Sequence, residues 1–194
     1  MKVHPVELTG KRVKLVPMEE SHIEGLFEAG GDPRIWTYMS MHVDTLNDME
    51  WLVSEALSAS EGGSELPFVI IDQESNKVVG STRFLDISVQ NRHLEIGWSW
   101  ISPSVWRTRI NTECKYLLLT HCFETLGTIR VQLKTDSRNI QSQRAIERIG
   151  AVKEGVLRKH RVMHDGYVRD SVYYSVIDDE WATVKNGIRK MLEY

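Results

Sequence analysis

The chain has 194 residues, 41% of them hydrophobic, which is enough apolar content to build the core of one domain. Its formal net charge is −3, whereas proteins that follow nucleic-acid phosphates are usually basic, so direct nucleic-acid binding is not expected. With no signal-peptide core and no run of roughly 20 apolar residues, we expect a single cytoplasmic domain over residues 1–194 and no membrane contact.

The first third of the chain is predicted to form one strand and two helices. Leu8 to Pro17 alternates apolar and polar residues in the manner of a half-buried strand. The segment MEESHIEGLFEAGGDP predicts a helix, which two glycines and a proline end. A second helix is expected from Thr45 to about Ser60.

The middle of the chain is predicted to form strands and then a helix. Short polar turns join the strand candidates LPFVIID, VVGSTRFLDI and LEIGWSWI, so these should pair as an antiparallel meander. Asn111 and Thr112 are good cap residues, and we expect an amphipathic helix to begin there. The strand IRVQLKT follows this helix, and such a crossover makes IRVQLKT and LEIGWSWI parallel neighbours.

The last part of the chain predicts a short helix, two strands and a final helix. Asn139 is expected to cap the short helix and Gly150 to end it in the left-handed conformation. The strands AVKEGVLRKHRV and VRDSVYYSVI follow, and the final helix should begin near Asp178. Together the elements predict a mixed, mostly antiparallel α/β sheet with helices on both faces.

The cysteines and histidines do not predict a disulfide or a metal site. Cys114 and Cys122 share a face of one predicted helix but lie about 12 Å apart along its axis, which is too far for a disulfide. We expect both to be core thiols. The seven histidines and two cysteines show no metal-ligand spacing, so no metal is expected.

This order of elements resembles the GCN5-related N-acetyltransferase (GNAT) superfamily, particularly the branch whose enzymes acetylate the N-termini of ribosomal proteins. The resemblance spans almost the whole chain, and no one motif carries it alone. Its motifs are LEIGWSWI, W-x-x-x-x-N-T-E at 106–113, D-x-x-N-x-x-S at 136–142 and IERIGAVKEGVLR. It implies a GNAT fold in which acetyl-CoA lies between two splayed parallel strands, and it implies a homodimer.

The resemblance also implies where the cofactor is held. Pantetheine would pair with the end of the first parallel strand, and the pyrophosphate would meet the backbone of the following loop and helix. The implied cofactor-binding residues are Trp98, Trp100, Ile101, Arg107, Thr108, Arg109, Ile110, Asn111, Thr112, Asn139, Ser142 and Arg144.

One position departs from the family pattern Q/R-x-x-G-x-G/A. Arg109 stands at the central glycine and Asn111 at the second small residue. Arg109 either adds a charged phosphate contact beside Arg107, or it blocks the loop. In the second case the protein would be a noncatalytic CoA-binding or interaction module, which is the alternative to an enzyme.

Acetyl transfer to an amine needs a neutral nucleophile, a polarised carbonyl and a proton for the leaving sulfur. Glu95 is the candidate base or cation anchor, because it shares a strand face with the small residues Gly97 and Ser99. The alternative is a solvent-facing or arginine-paired glutamate. A backbone N–H at a bulge near Trp100 is expected to polarise the carbonyl.

Ser142 and Tyr173 are the candidate acids, although Ser142 also suits a capping hydroxyl and Tyr173 a packing residue. We expect Trp36 and Tyr38 to line the acceptor pocket with Glu95. The predicted acceptor is a primary amine, on a peptide or protein N-terminus or on a small molecule. The first 100 residues hold an excess of acidic side chains, which either attracts such a cation or is ordinary surface charge distributed by chance.

Overall fold

The computed structural model describes residues 1–193, and within them the chain forms eight strands and five helices. The strands are β1 (Leu8–Thr9), β2 (Val13–Pro17), β3 (Leu66–Asp72), β4 (Lys77–Ser88), β5 (His93–Ile101), β6 (Arg130–Asp136), β7 (Val152–Val162) and β8 (Val168–Ile177). The helices are α1 (Ile23–Ala29), α2 (Leu46–Glu61), α3 (Ile110–Thr120), α4 (Ile140–Arg148) and α5 (Asp178–Leu192).

All the strands join one sheet in the order β1-β2-β3-β4-β5-β6-β8-β7. The pairs are antiparallel except β5 with β6, which is parallel, so the predicted meander and crossover are both confirmed. The parallel pairing stops at Glu95 with Gln132, although β5 continues to Ile101 and β6 to Asp136. The two strands therefore separate beyond this level and leave a gap in the sheet.

The helices cover the sheet unevenly. On one face α1 and α2 pack on β4 and β3 over a core that includes Trp36 and Trp100. On the other face α3 and α5 pack over a larger core that includes Tyr174 and Ile188. On the α1 and α2 side, the half of the sheet made by β6, β8 and β7 carries polar residues instead, such as Lys134. This polar surface adjoins the gap.

The start of α3 differs from the prediction. Asn111 and Thr112 were expected to cap the helix, but it begins at Ile110. Thr108 explains the earlier start, because its hydroxyl accepts a hydrogen bond from the Ile110 backbone N–H at 3.3 Å and donates one to the Val105 carbonyl at 2.7 Å. A hydroxyl one turn earlier therefore satisfies the first helical N–H group.

Three other predicted helix ends are confirmed. Asn139 Oδ1 accepts a hydrogen bond from the Ser142 backbone N–H at 3.0 Å, as an N-cap does. Gly150 has a φ of +94°, and α5 begins at Asp178. Local sequence chemistry was sufficient at these positions because each cap bonds to backbone only a few residues away.

Cys114 and Cys122 are buried free thiols, as predicted. Residues 1–193 contain no group of three or more His, Cys, Asp or Glu side chains arranged to hold a metal ion. None of the helices in this described part of the chain has both the length and the apolar character needed to cross a membrane.

Candidate active site

A cavity of about 500 Å³ lies where β5 and β6 separate. Its walls come from the end of β5, the end of β6, the first turns of α3 and α4, and the segment 34–40 that precedes α2. The predicted site residues that line it are Tyr38, Glu95, Trp98, Trp100, Ile101, Arg107, Thr108, Asn111, Asn139, Ser142 and Arg144. Most of the sequence-predicted site therefore comes together around one cavity.

Glu95 lies at the last position at which β5 pairs with β6, and it is 1% exposed. Its Oε2 accepts a hydrogen bond from Gln132 Nε2 at 2.7 Å, and its Oε1 forms an ion pair with Lys134 Nζ at 2.9 Å. Glu95 is thus neither solvent-facing nor paired with an arginine. Each carboxylate oxygen has a second lone pair, so Glu95 can also accept a hydrogen bond from a group in the cavity.

Gly97 keeps the space beside Glu95 open. A side-chain carbon at residue 97 would approach both the Glu95 carboxylate and Leu85 at 2.9 Å, closer than Cβ atoms are found in proteins. A larger residue would therefore displace the carboxylate or its wall. The small size of residue 97 therefore preserves the position of the Glu95 carboxylate. From the sequence, Gly97 was expected only to leave room for a ligand.

A β-bulge follows directly in β5. Gly97 pairs with Arg83 and Trp100 with Ser81, so β5 has one more residue than β4 in this interval. Trp98 takes a φ of +49° there, and the Arg83 guanidinium lies 4.7 Å from the centre of its indole ring. The predicted bulge is present, two residues before Trp100. Beyond it, the β5 backbone has no β6 partner and forms a strand edge on the cavity.

The loop before α3 and the first turn of this helix present both backbone and side chains to the cavity. Arg107 and Asn111 line it, and Arg107 has a φ of +60°. The N–H groups of Asn111 and Thr112 have no hydrogen-bond partner in the described chain, as expected for the first turn of a helix. Such N–H groups and the positive end of the helix dipole suit a phosphate.

Arg109 does not line this cavity. Its backbone has φ −80° and ψ −5°, which any residue adopts, and its Nη1 donates to the Leu192 carbonyl at 3.4 Å. Neither sequence alternative describes this arrangement, since the guanidinium points toward α5 and the backbone has no need of glycine. The left-handed residue of the loop is Arg107 instead.

Four other predicted residues lie outside the cavity lining. Ile110 is buried in the core, and Thr112 Oγ1 accepts a hydrogen bond from Arg148 Nη2 at 3.0 Å. Trp36 was predicted to line the acceptor pocket, but it is fully buried and its ring centre lies 5.2 Å from that of Trp100.

Tyr173, a predicted acid, packs against His160, with its hydroxyl 3.3 Å from His160 Nε2. Burial and the Glu95 charge raise the pKa of Tyr173.

Lys115 is a cavity residue that the sequence analysis did not identify. Its Nζ donates to Ser99 Oγ at 2.7 Å, and Ser99 Oγ lies 2.7 Å from Thr82 Oγ1. Burial lowers the pKa of the Lys115 ammonium. The available signal was its position next to Cys114 on the buried side of an amphipathic helix, where a lysine has to serve some polar partner.

Comparison with known proteins identifies the family. A model of the acetyltransferase (GNAT) domain matches residues 12–152, and the chain belongs to this family, which confirms the predicted resemblance and fold. An uncharacterized N-acetyltransferase, p20, of Bacillus licheniformis is 26% identical over 176 residues, which are 89% of this chain and 96% of that protein.

Two solved structures illustrate the shared fold. A GCN5-related N-acetyltransferase from Brucella melitensis is 29% identical, with a TM-score of 0.92 over 100% of this chain and 88% of that one. Mycobacterium smegmatis RimJ, in complex with CoA-disulfide, is 19% identical, with a TM-score of 0.83 over 96% of this chain and 95% of that one. At this identity the RimJ match shows the fold alone.

Proposed function

We propose that this protein is an acetyl-CoA-dependent N-acetyltransferase that acts as a single domain on a primary amine of a small molecule or of a peptide or protein N-terminus. Membership of the GNAT family implies acetyl transfer from acetyl-CoA. The observation that carries the proposal is the cavity at the separation of β5 and β6, because it joins the first turn of α3 to the Glu95 carboxylate.

The residues around the cavity fit the cofactor. The N–H group of Asn111, at the positive end of α3, would hold the phosphates together with the Arg107 side chain. The unpaired edge of β5 at 98–101 would pair with the amide groups of pantetheine in the manner of an added strand. Asn139 and Arg144 line the opposite wall. Acetyl-CoA, when bound, supplies the acetyl thioester.

Glu95 would act as the base. Gln132 and Lys134 fix the orientation of its carboxylate, and one of its remaining lone pairs would accept a proton from the acceptor ammonium, directly or through a water molecule. The neutral amine then attacks directly. A backbone N–H at the bulged end of β5 near Trp100 would polarise the carbonyl, since it lies at the strand edge that faces the cavity.

Ser142 is the better placed of the two candidate acids. Its hydroxyl belongs to the first turn of α4 and lines the cavity, whereas the Tyr173 hydroxyl lies beside His160 outside the lining. Ser142 would therefore donate the proton at its Oγ, and Tyr173 would have the lesser role.

The alternative of a noncatalytic CoA-binding module depended on Arg109 closing the phosphate loop. The Arg109 backbone is compatible with any residue and its guanidinium lies toward Leu192, so neither its backbone nor its side chain obstructs the phosphate loop. Binding without turnover across a broad set of amines would restore the alternative.

The first test is a thermal-unfolding titration with acetyl-CoA and with CoA, because it requires no knowledge of the acceptor. At about 100 times the dissociation constant, binding adds roughly 2.7 kcal/mol, or about 5 to 11 °C in the unfolding midpoint of a domain of this size. A midpoint that stays constant up to millimolar ligand would refute the cofactor assignment.

The second test measures CoA release with a set of amines for the wild type and for Glu95→Gln. Loss of a general base should lower kcat by about 10² to 10⁴ while the KM for acetyl-CoA stays the same. Glu154→Gln is the matched control, because Glu154 is an ion-paired carboxylate outside the cavity lining. Unchanged turnover of Glu95→Gln would remove Glu95 from the mechanism.

A further inference from the structure

Two arginines lie directly opposite each other at the end of the cavity away from α3. Arg161 on β7 and Arg169 on β8 are in register as a cross-strand pair, and both line the cavity. Like charges directly opposite each other destabilise a sheet. A fold that keeps such a pair beside a ligand cavity therefore carries a cost that a bound anion would offset.

Neither arginine forms an ion pair with a carboxylate of residues 1–193, although the charge of Asp136 acts on Arg169 from a longer distance. Arg169 is only 7% exposed, and its Nε donates to Ser171 Oγ at 2.9 Å. Arg161 donates from Nη1 to Ser40 Oγ at 3.4 Å. No carboxylate in the described chain forms an ion pair with either one. A buried guanidinium that donates to a neutral hydroxyl and has no carboxylate in direct contact is costly, because a charge taken out of water needs a close counter-charge.

The acidic groups of this region are already engaged. Glu95 is ion-paired with Lys134. The Asp136 carboxylate accepts two hydrogen bonds from Arg138, from Nε to Oδ1 at 3.1 Å and from Nη2 to Oδ2 at 2.7 Å. At this end of the cavity the lining therefore contains three cations, Lys134, Arg161 and Arg169, and two carboxylates, Glu95 and Asp136. The excess of positive charge also affects the neighbouring His160. Its pKa is lowered mainly by burial and further by the charges of Arg161, Lys134 and Arg169.

The arginine pair is separate from the expected phosphate site. The even-numbered β8 residues Val172, Tyr174 and Val176 point into the core beneath α5. Because side chains alternate along a strand, Arg169 and its partner Arg161 lie on the opposite face of the sheet. The first turn of α3 belongs to the α5 side, so the cofactor phosphates and this arginine pair approach the cavity from different faces.

We propose that Arg161 and Arg169 form a binding site for a carboxylate or phosphate group that the amine acceptor carries. This inference rests on the proposed function, since it assigns the substrate class of the same cavity. The acceptor is therefore an amine with a negative group elsewhere in its structure. Both guanidinium groups would share the anion through charge-assisted hydrogen bonds.

The register gives an approximate spacing between the amine and the anion. Positions along β8 serve as the scale. The Arg169 guanidinium bonds to Ser171. In the sheet register, Glu95 lies across from Ser175 through Gln132, and its partner Lys134 pairs with Tyr173. Two to four residues of strand separate these levels, or roughly 7 to 14 Å. A free amino acid is too short for this span, while an acidic side chain a few residues from a peptide N-terminus, or the phosphate of a long aminoalkyl phosphate, can reach it.

The test compares acceptors that differ only in the anion. One set consists of tetrapeptides with Glu or Gln at positions two, three and four, and a second set consists of aminoalkyl phosphates and the matching amino alcohols. The assay follows CoA release at saturating acetyl-CoA with wild type, Arg161→Gln, Arg169→Gln and the double variant. Arg158→Gln is the matched control, because Arg158 is an exposed arginine of β7 outside the cavity lining.

The wild type should prefer the anionic member of a pair by about tenfold or more in kcat/KM, mostly through KM, as for a hydrogen bond to a charged group. Either single variant should remove the preference, Arg158→Gln should keep it, and the KM for acetyl-CoA should not change. The set that shows the preference identifies the source of the anion. Should Arg169→Gln fail to fold, the half-buried Arg161→Gln decides the question.

Equal kcat/KM within every pair, or a preference that survives in the double variant, would overturn the anion site while leaving the acetyltransferase in place. If no amine of either set is acetylated, the proposed function fails for these acceptors. Calorimetric titration of the anionic acceptors into CoA-saturated protein then decides the site on its own. Binding that Arg161→Gln abolishes supports it, and no binding refutes it.

Discussion

Replacement of Glu113 by alanine should destabilise the protein much more than replacement of an exposed glutamate does. The Glu113 carboxylate accepts backbone hydrogen bonds from Lys11 at 2.6 Å, from Arg12 at 3.0 Å and from Val13 at 2.9 Å. It thereby fastens the turn between β1 and β2 to the first turn of α3. Glu113 itself is 7% exposed, so little water can replace it.

The loss can be estimated from these contacts. A hydrogen bond to a charged group contributes about 1.5 to 3 kcal/mol, and the Val13 N–H, which is fully buried, should lose the most. The Lys11 and Arg12 N–H groups are partly exposed and recover some hydration, so we expect a total of about 3 to 5 kcal/mol. This loss corresponds to roughly 6 to 20 °C in the unfolding midpoint.

Urea denaturation at neutral pH measures the change directly, with Glu50→Ala as the control because Glu50 is an exposed glutamate of α2. The control should change stability by less than about 0.5 kcal/mol. Glu113→Gln should fall between the two, since a single amide oxygen replaces two carboxylate oxygens. A loss below about 1 kcal/mol in Glu113→Ala would refute the anchoring role and the reasoning from unsatisfied backbone groups.

Further predictions concern Lys115 and the loop before α3. Burial lowers the pKa of Lys115 in the folded protein below its usual 10.5, so between the folded and unfolded pKa values the unfolded chain binds more protons and wild-type stability rises with pH. Urea titrations at successive pH values should show this rise for the wild type and not for Lys115→Met. An equal slope of stability against pH in both proteins would contradict the prediction. Arg107→Gly should stabilise the fold by about 1 kcal/mol, because φ is +60° there, yet should weaken CoA binding in thermal titrations. Arg109→Gly, at a φ of −80°, should not tighten CoA binding, and a gain would show that Arg109 does obstruct the loop.

The strand neighbours around the site could be predicted from the sequence. The hydrophobic period depends only on nearby residues, and the crossover rule depends only on the order of the elements. The parallel pair β5 and β6 and the Asn139 cap follow from such rules. The direction of the Arg109 side chain does not, because it depends on a contact with Leu192, 83 residues away. The burial of Trp36 likewise depends on Trp100, which only the folded sheet brings beside it.

Charge at the acceptor end shows the same limit more clearly. The acidic excess of the first 100 residues predicted attraction of a cationic amine, but a count along the chain does not say which charges share a cavity. Lys134, Arg161 and Arg169 come from three neighbouring strands, and they meet Glu95 at the gap that the parallel pair leaves. The amine would therefore meet two carboxylates, Glu95 and Asp136, that are already ion-paired, within a positive surrounding. An acceptor that carries its own negative charge fits such a field, whereas a polyamine would be repelled by it.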